Sequence, residues 1–242
     1  MLRSLKALSA LLTYPTVELQ QACGEISEAI EQDTAIPFGL REQLHRLLTE
    51  LATGDLYDLQ ERYVLLFDRT RSLSLHLFEH VHGESRDRGQ AMIDLKAQYE
   101  QANLFVSAAE LPDFVPLFLE YLSTLPAANA CETLGQPAHI FAAMAERLRK
   151  RKSSYESVFR VLVALAAAKP KDDEVAALLQ LPDPEAYDLA ALDAAWEDEP
   201  VNFGPGASDS CKDGLIARVR GGLRPAPDMP PANPTRAGTP RQ

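Results

Sequence analysis

Apolar residues, leucine above all, recur at intervals of three and four through most of the first 170 positions of this chain. The segment between Pro37 and Gly54 is typical, because its leucines share one helical face, Pro37 suits a first turn and Gly54 suits an end. Period-two alternation occurs only in residues 72–77, a short run that a buried turn would also explain. The pattern therefore predicts an all-α fold, a single helical domain of about eight or nine helices.

Caps and breakers set the expected helix boundaries. Thr16, Asp55 and Ser85 can each cap a helix that follows them, because their side-chain oxygens can accept from first-turn N–H groups. Pro112 can open another helix, although Pro116 would kink that helix unless it falls in the first turn. The predicted helices cover about residues 2–12, 16–32, 37–54, 55–67, 85–99, 112–122, 138–151, 154–168 and 172–179.

The composition changes near residue 170. Residues 172–199 contain ten acidic and no basic side chains, and six prolines crowd the last 18 residues. A proline-rich segment with few apolar side chains cannot build a core. We predict three parts: a helical domain at 1–171, an acidic extension at 172–204 and a disordered Pro/Gly-rich tail at 205–242. The extension is either a solvated linker or a lid that folds back onto the functional site, with Trp196 and Phe203 as anchors.

The net charge of −11 argues against a nucleic-acid or anionic-membrane partner, since both require a positive face. Five cations do gather in residues 147–152, but they lie at the end of a predicted helix, where they complement its dipole. No apolar run approaches the length of about 20 residues that a spanning helix needs. Three cysteines without a CxxC pair suit a reducing compartment. We therefore expect a cytoplasmic protein that neither binds nucleic acid nor inserts in a membrane.

The common enzyme and nucleotide-binding signatures are absent, and the densest polar cluster is residues 76–89. It holds three of the five histidines together with carboxylates and arginines. His76 and His80 would share a face on a helix, so a metal site is one hypothesis, although the spacing matches no standard zinc pattern. Acid–base catalysis by His80 or His82 is another, but no nucleophile or cofactor loop accompanies them.

Two further interpretations of residues 76–89 involve no catalysis. In the first, the segment is a helix-entry turn, with Gly83 ending one element and Ser85 capping the next. That interpretation leaves the gathering of aromatic, histidine and arginine side chains unexplained. In the second, the cluster is a recognition surface, because such groups are enriched at protein interfaces.

These same residues carry a family resemblance. Residues 63–69 and 72–92 closely resemble the NarJ-type family, the assembly chaperones of respiratory membrane-bound nitrate reductase. The apolar run at 111–123, the opening helix that ends at 12–15 and the Trp-containing segment at 196–204 are similar to that family too. The resemblance spans roughly residues 1–204.

The resemblance implies a helical cytoplasmic chaperone that is not an enzyme and has no cofactor or metal of its own. Such proteins bind the immature catalytic (alpha) subunit of nitrate reductase, through an N-terminal helical segment of that subunit. They support insertion of the molybdenum cofactor and hold the subunit back from premature membrane attachment. The alternatives are a histidine-centred metal-dependent enzyme and a helical adaptor with no link to a cofactor.

An apolar groove with an acidic rim would suit a basic amphipathic peptide, because apolar anchors supply affinity and charge sets orientation. We expect the segment 78–88 to form one wall of this groove and the apolar run at 114–118 to form its floor. The predicted wall residues are Phe78, His80, His82, Glu84, Arg86, Asp87 and Arg88, and the predicted floor residues are Phe114, Leu117 and Phe118.

Overall fold

Ten α-helices make up most of the part of the chain that the computed structural model describes, namely residues 3–81, 86–107, 110–181 and 183. The all-α prediction is therefore confirmed. Of Arg86 and Asp87 the description covers the backbone alone. The helices are α1 (Arg3–Leu11), α2 (Val17–Glu31), α3 (Phe38–Thr53), α4 (Leu56–Tyr63), α5 (Arg86–Gln101), α6 (Val115–Thr124), α7 (Ala127–Gly135), α8 (Ala138–Lys150), α9 (Glu156–Leu165) and α10 (Asp172–Leu179).

Two of the three predicted caps, Thr16 and Asp55, are present. The Thr16 hydroxyl accepts a hydrogen bond from the N–H of Leu19 at 3.2 Å, and Asp55 accepts from the N–H of Tyr57 at 2.9 Å. Each bond satisfies a first-turn donor that has no partner within its own helix. Ser85, the expected cap of α5, lies outside the described residues.

The packing order brings distant parts of the chain together. Helix α1 packs against α2 and α6, α2 against α3, and α3 against α9. Helix α8 packs against both α9 and α10. The buried apolar side chains of these helices form one continuous cluster, in which Leu8, Leu44, Phe141 and Phe159 are fully inaccessible to solvent. This cluster is the rigid support for the surfaces considered below.

Helix α7 was not predicted. Its sequence offers only Ala130 and Leu134 to the core, so it lacks the apolar stripe that reveals the other helices. The predicted fourth helix is also interrupted, because the chain turns in a π-helical segment at Val64–Asp68 after α4 ends.

The start of α6 differs from the prediction as well. The helix begins at Val115 rather than near Pro112, and Pro116 falls in its first turn, where a missing N–H costs no hydrogen bond. The preceding residues are held out of the helix because His76 and Phe114 form an isolated antiparallel bridge. Within the described residues, the alternating run at 72–77 is part of a buried turn and bridge rather than a strand.

None of the helices in the described part of the chain combines the length and the apolar character that crossing a bilayer requires. The predicted disordered tail at 205–242, and all of the acidic extension beyond Asp183, fall outside the described residues. Helix α10, the first part of that extension, has the bounds predicted for it.

Candidate functional site

The histidine-rich segment is fastened to the residues just before α6. The carboxylate of Asp113 is fully buried, and its Oδ2 accepts a hydrogen bond from the backbone N–H of Phe78 at 3.1 Å. The Asp113 carbonyl accepts a second bond, from the N–H of Leu77 at 3.1 Å. Val115 donates its N–H to the carbonyl of Leu75 at 2.8 Å. These bonds fix where the side chain of Phe78 emerges.

Two of the histidines in this segment make short-range contacts that stabilise it. Nδ1 of His76 lies 3.2 Å from Oδ1 of Asp113, and this hydrogen bond raises the pKa of His76 against the opposing effect of burial. Nε2 of His80 lies 2.8 Å from the carbonyl oxygen of Ser74, which can only accept, so this nitrogen carries the proton. Burial is the main cause that lowers the pKa of His80. The pKa values of the two rings are therefore shifted in opposite directions.

A cleft of about 380 Å³ opens beside this segment. Its volume falls within the range of about 300–1,000 Å³ that is typical of binding pockets. Leu77, Phe118 and Ile140 form its apolar floor, and the polar side chains at its rim come from α5, α7 and α8. The lining residues are Leu77, Phe78, Val81, Ala91, Asp94, Leu95, Gln98, Phe118, Thr133, Gln136, Pro137, His139 and Ile140.

Helix α5 forms one side of the cleft and is attached mainly near its C-terminal end. Tyr99 is its one fully buried side chain with a described environment, donating its hydroxyl to the carbonyl of Pro112 at 2.8 Å. The Tyr99 ring also lies 4.8 Å from that of Tyr121, between ring centroids. Near the other end, Arg88 lies 3.8 Å from Glu79. The half-buried Leu95 faces the cleft, whereas Ile93 is 64% exposed.

The structure brings together some of the predicted site residues. Phe78 from the predicted wall and Phe118 from the predicted floor line the cleft together. Phe114 and Leu117 are partly buried against the core and do not line it. His80 and Arg88 are likewise absent from the lining, since they bond Ser74 and Glu79 respectively.

The remaining four predicted residues cannot be placed at side-chain level. His82 and Glu84 lie outside the described residues. Arg86 and Asp87 open helix α5, but only their backbone is described. Their assignment to the site stays a prediction.

Sequence reasoning missed several residues that build the cleft. Asp113 is the most important, and a signal for it existed: a lone carboxylate within the apolar run at 111–118 needs a buried partner. Leu95, His139 and Ile140 carried no comparable signal, because each belongs to an ordinary helical pattern.

Among the residues that the structure describes, no three histidine, cysteine, aspartate or glutamate side chains converge closely enough to hold a metal ion. His76 and His80 do not share a helix face, because a 3₁₀ turn at Leu77–Glu79 separates them.

Two of the five cations in the basic run at 147–152 are bound within the fold rather than solvated. Arg147 is 2% exposed and donates to the carbonyls of Ser72 at 2.7 Å and Leu178 at 2.6 Å. Arg151 bonds Asp183 at 2.7 Å. The run therefore joins the turn at 71–73 to α10, which the dipole argument did not anticipate.

Helix α10 lies next to one of the residues that line the cleft. His139 lines the cleft, and its Nδ1 lies 3.8 Å from a carboxylate oxygen of Glu174 on α10. Among the described lining residues, Asp94 is the one carboxylate at the rim.

Comparison with known proteins gives a consistent result. Residues 18–160 match the nitrate reductase delta subunit family. The chain is 45% identical over 223 residues to the nitrate reductase molybdenum cofactor assembly chaperone NarJ of Escherichia coli strain K12, an alignment covering 90% of this chain and 92% of that protein. It is 43% identical over 201 residues to the probable assembly chaperone NarW of the same strain, covering 82% and 83%. A probable NarJ of Bacillus subtilis is 30% identical over 161 residues, covering 65% and 85%.

Proposed function

Because the chain belongs to the nitrate reductase delta subunit family, we propose that it is an assembly chaperone for respiratory nitrate reductase. It binds the immature catalytic subunit and supports insertion of the molybdenum cofactor before the enzyme attaches to the membrane. It acts in the cytoplasm, catalyses no reaction and is absent from the finished enzyme. The apolar cleft between α5 and the floor formed by Leu77, Phe118 and Ile140 is the observation that carries the proposal.

The shape and lining of the cleft suit an amphipathic segment. Apolar side chains of a client helix would replace water on Phe78, Phe118 and Ile140, and burial of apolar surface supplies the main driving force. Asp94 at the rim, within a chain of net charge −11, would favour a basic client segment. An N-terminal segment of the catalytic subunit is the natural candidate, because it is available before the subunit has matured.

The cleft is held open by the contacts described above. Asp113 fixes the backbone of Phe78, and Tyr99 fixes the C-terminal part of α5. Because the walls are already ordered, the conformational entropy lost on binding is mainly that of the client segment.

The test is calorimetric titration of the full chain with the N-terminal peptide of the nitrate reductase catalytic subunit, beside a scrambled peptide of the same composition. Leu95→Lys places a charge in the apolar cleft and should weaken binding about tenfold or more. Ile93→Lys is the matched control, since it makes the same change two residues away on an exposed part of the same helix. Equal affinities for the two variants would refute the cleft as the binding site.

A second measurement separates a chaperone from a general adaptor. Pull-down of the catalytic subunit with and without its molybdenum cofactor should show preference for the cofactor-free form. Equal capture of both forms would favour the adaptor.

A further inference from the structure

A second depression, of about 310 Å³, shares no lining residue with the apolar cleft. It lies where α3 meets the segment that joins α8 to α9. Its surface is mostly polar, and three cations reach it: Arg46 from α3, Lys152 from the connecting segment and Arg160 from α9. This gathering is unusual in a chain whose net charge is −11.

The two carboxylates at this depression are already engaged. Oε2 of Glu50 accepts hydrogen bonds from Arg62 at 2.8 Å and from the hydroxyl of Ser154 at 2.7 Å. Oε1 of Glu156 lies 3.4 Å from the Arg160 guanidinium. Each carboxylate therefore has a cation beside it that offsets its charge.

The positive charges of Arg46 and Lys152 are not offset by a carboxylate among the described residues. In the described part of the chain, neither side chain has a hydrogen-bond or ion-pair partner. With Arg62 set against Glu50 and Arg160 against Glu156, these two give the depression a positive excess. Interactions with an anion are strengthened where several cations converge on one concave surface.

Two further features occur at residues that line the same depression. The Ser153 hydroxyl oxygen is buried and has no hydrogen-bond partner among the described residues, although a buried hydroxyl normally has one. Lys152 has a φ of 54°, in the left-handed region that favours glycine. A lysine therefore lies at the edge of the depression, at a position where the backbone conformation favours glycine.

We propose that this depression binds a phosphate-bearing anion. The Arg46 guanidinium can donate two parallel hydrogen bonds to phosphate oxygens, and the Lys152 ammonium supplies a compact charge. This site is separate from the client cleft, so each is tested by its own variants.

The test is calorimetric titration of the full chain at fixed ionic strength with inorganic pyrophosphate and, separately, with ADP. The double variant Arg46→Gln/Lys152→Gln should weaken pyrophosphate binding about tenfold or more, because two charged donors are lost. Both side chains are exposed, so the fold should persist. Lys6→Gln/Lys96→Gln removes the same charge at exposed positions elsewhere and should leave binding unchanged.

Glu156→Gln offers a gain in affinity as a second readout. It removes a negative charge from the rim and ends the ion pair of Arg160, which keeps its hydrogen bond to Gln43, so pyrophosphate should bind several-fold more tightly. Tighter binding of ADP than of pyrophosphate would identify a nucleotide as the source of the phosphate, and equal binding would identify the diphosphate group itself. Absence of binding at about 10 mM pyrophosphate, or an equal loss in the Lys6/Lys96 control, would overturn the proposal.

Discussion

The carboxylate of Asp113 accepts a hydrogen bond from the backbone N–H of Phe78 at 3.1 Å, across 35 residues of sequence, while fully shielded from solvent. This bond sets the position of the aromatic ring at the edge of the apolar cleft. It also explains a buried charge in an otherwise apolar run, since the carboxylate contacts an N–H donor and an imidazole.

Replacing Asp113 with Ala should therefore affect both stability and client binding. The Phe78 N–H would lose its acceptor, and an unsatisfied buried donor costs about 1–3 kcal/mol. We expect the free energy of unfolding in urea to fall by about 2 kcal/mol, and affinity for the client peptide to fall with it. Asp94→Ala is the control for stability alone, because Asp94 lies at the exposed rim of the cleft. A variant as stable as the parent would show that the bond does not fix this segment.

The pKa values of the two histidines should be shifted in opposite directions from the ordinary value. The pKa of His76 lies above its ordinary value of 6.5 because of the bond to Asp113, so its stabilising contribution is complete below that value and is lost as the pH rises through the raised pKa. The pKa of His80 lies below 6.5 because of burial, so its contribution is present above 6.5 and is lost as the pH falls through the lowered pKa.

NMR titration of the imidazole protons tests this assignment. In Asp113→Asn the carboxylate charge is gone, so the pKa of His76 should fall, while that of His80 should stay below its ordinary value because burial is its main cause. Asp94→Asn should leave the pKa of His76 unchanged. An unaltered His76 titration in Asp113→Asn would contradict the role given to the buried carboxylate.

Arg147 should be far more important to stability than its sequence neighbours. Replacing it with Ala removes the donors of two backbone carbonyls, those of Ser72 and Leu178, and leaves a space where a large side chain was buried. We expect a loss of about 3 kcal/mol in urea unfolding, with faster amide exchange in α10. Arg149→Ala should change stability by less than about 0.5 kcal/mol, because Arg149 is exposed and its ion pair with Glu146 lies on the surface of the same helix. Equal effects of the two changes would refute a stabilising role for the hydrogen bonds from Arg147 to Ser72 and Leu178.

Two truncations test where the helical domain ends. A chain that ends at residue 183 keeps α10 and the Arg151–Asp183 pair, so its thermal stability should match that of the full chain. A chain that ends at residue 171 lacks α10. It therefore loses the hydrogen bond from Arg147 to the carbonyl of Leu178 and the apolar surface that the Leu178 side chain buries. We expect it to be less stable by about 1.5–3 kcal/mol.

The truncation at residue 183 also distinguishes the two interpretations of the acidic extension. If residues 184–204 are a solvated linker, the chain that ends at 183 should bind the client peptide as tightly as the full chain. Tighter binding would instead identify the extension as a lid that competes with the client.

Most of the helices follow from the local sequence. Periodicity reports which face of a local segment is apolar, so α2, α3 and α8 follow from their own residues. It failed at α7, where two small or isolated apolar residues made no stripe, and at the start of α6, where a distant bridge overrides the local signal. The unusual composition of residues 76–89 also marked the correct neighbourhood of the candidate site.

The local sequence does not reveal which polar residues are buried or what they contact, because both depend on how the helices pack. Nothing in the sequence distinguishes Arg147 from its exposed neighbours, yet its side chain donates a hydrogen bond to the carbonyl of Ser72, 75 residues away. Leu95, Phe118 and His139 come from three separate helices and meet only because those helices pack around one cleft. Local patterns carry no information about such pairings, because the free energy of burying a charge or an apolar surface depends on the partner that long-range packing supplies.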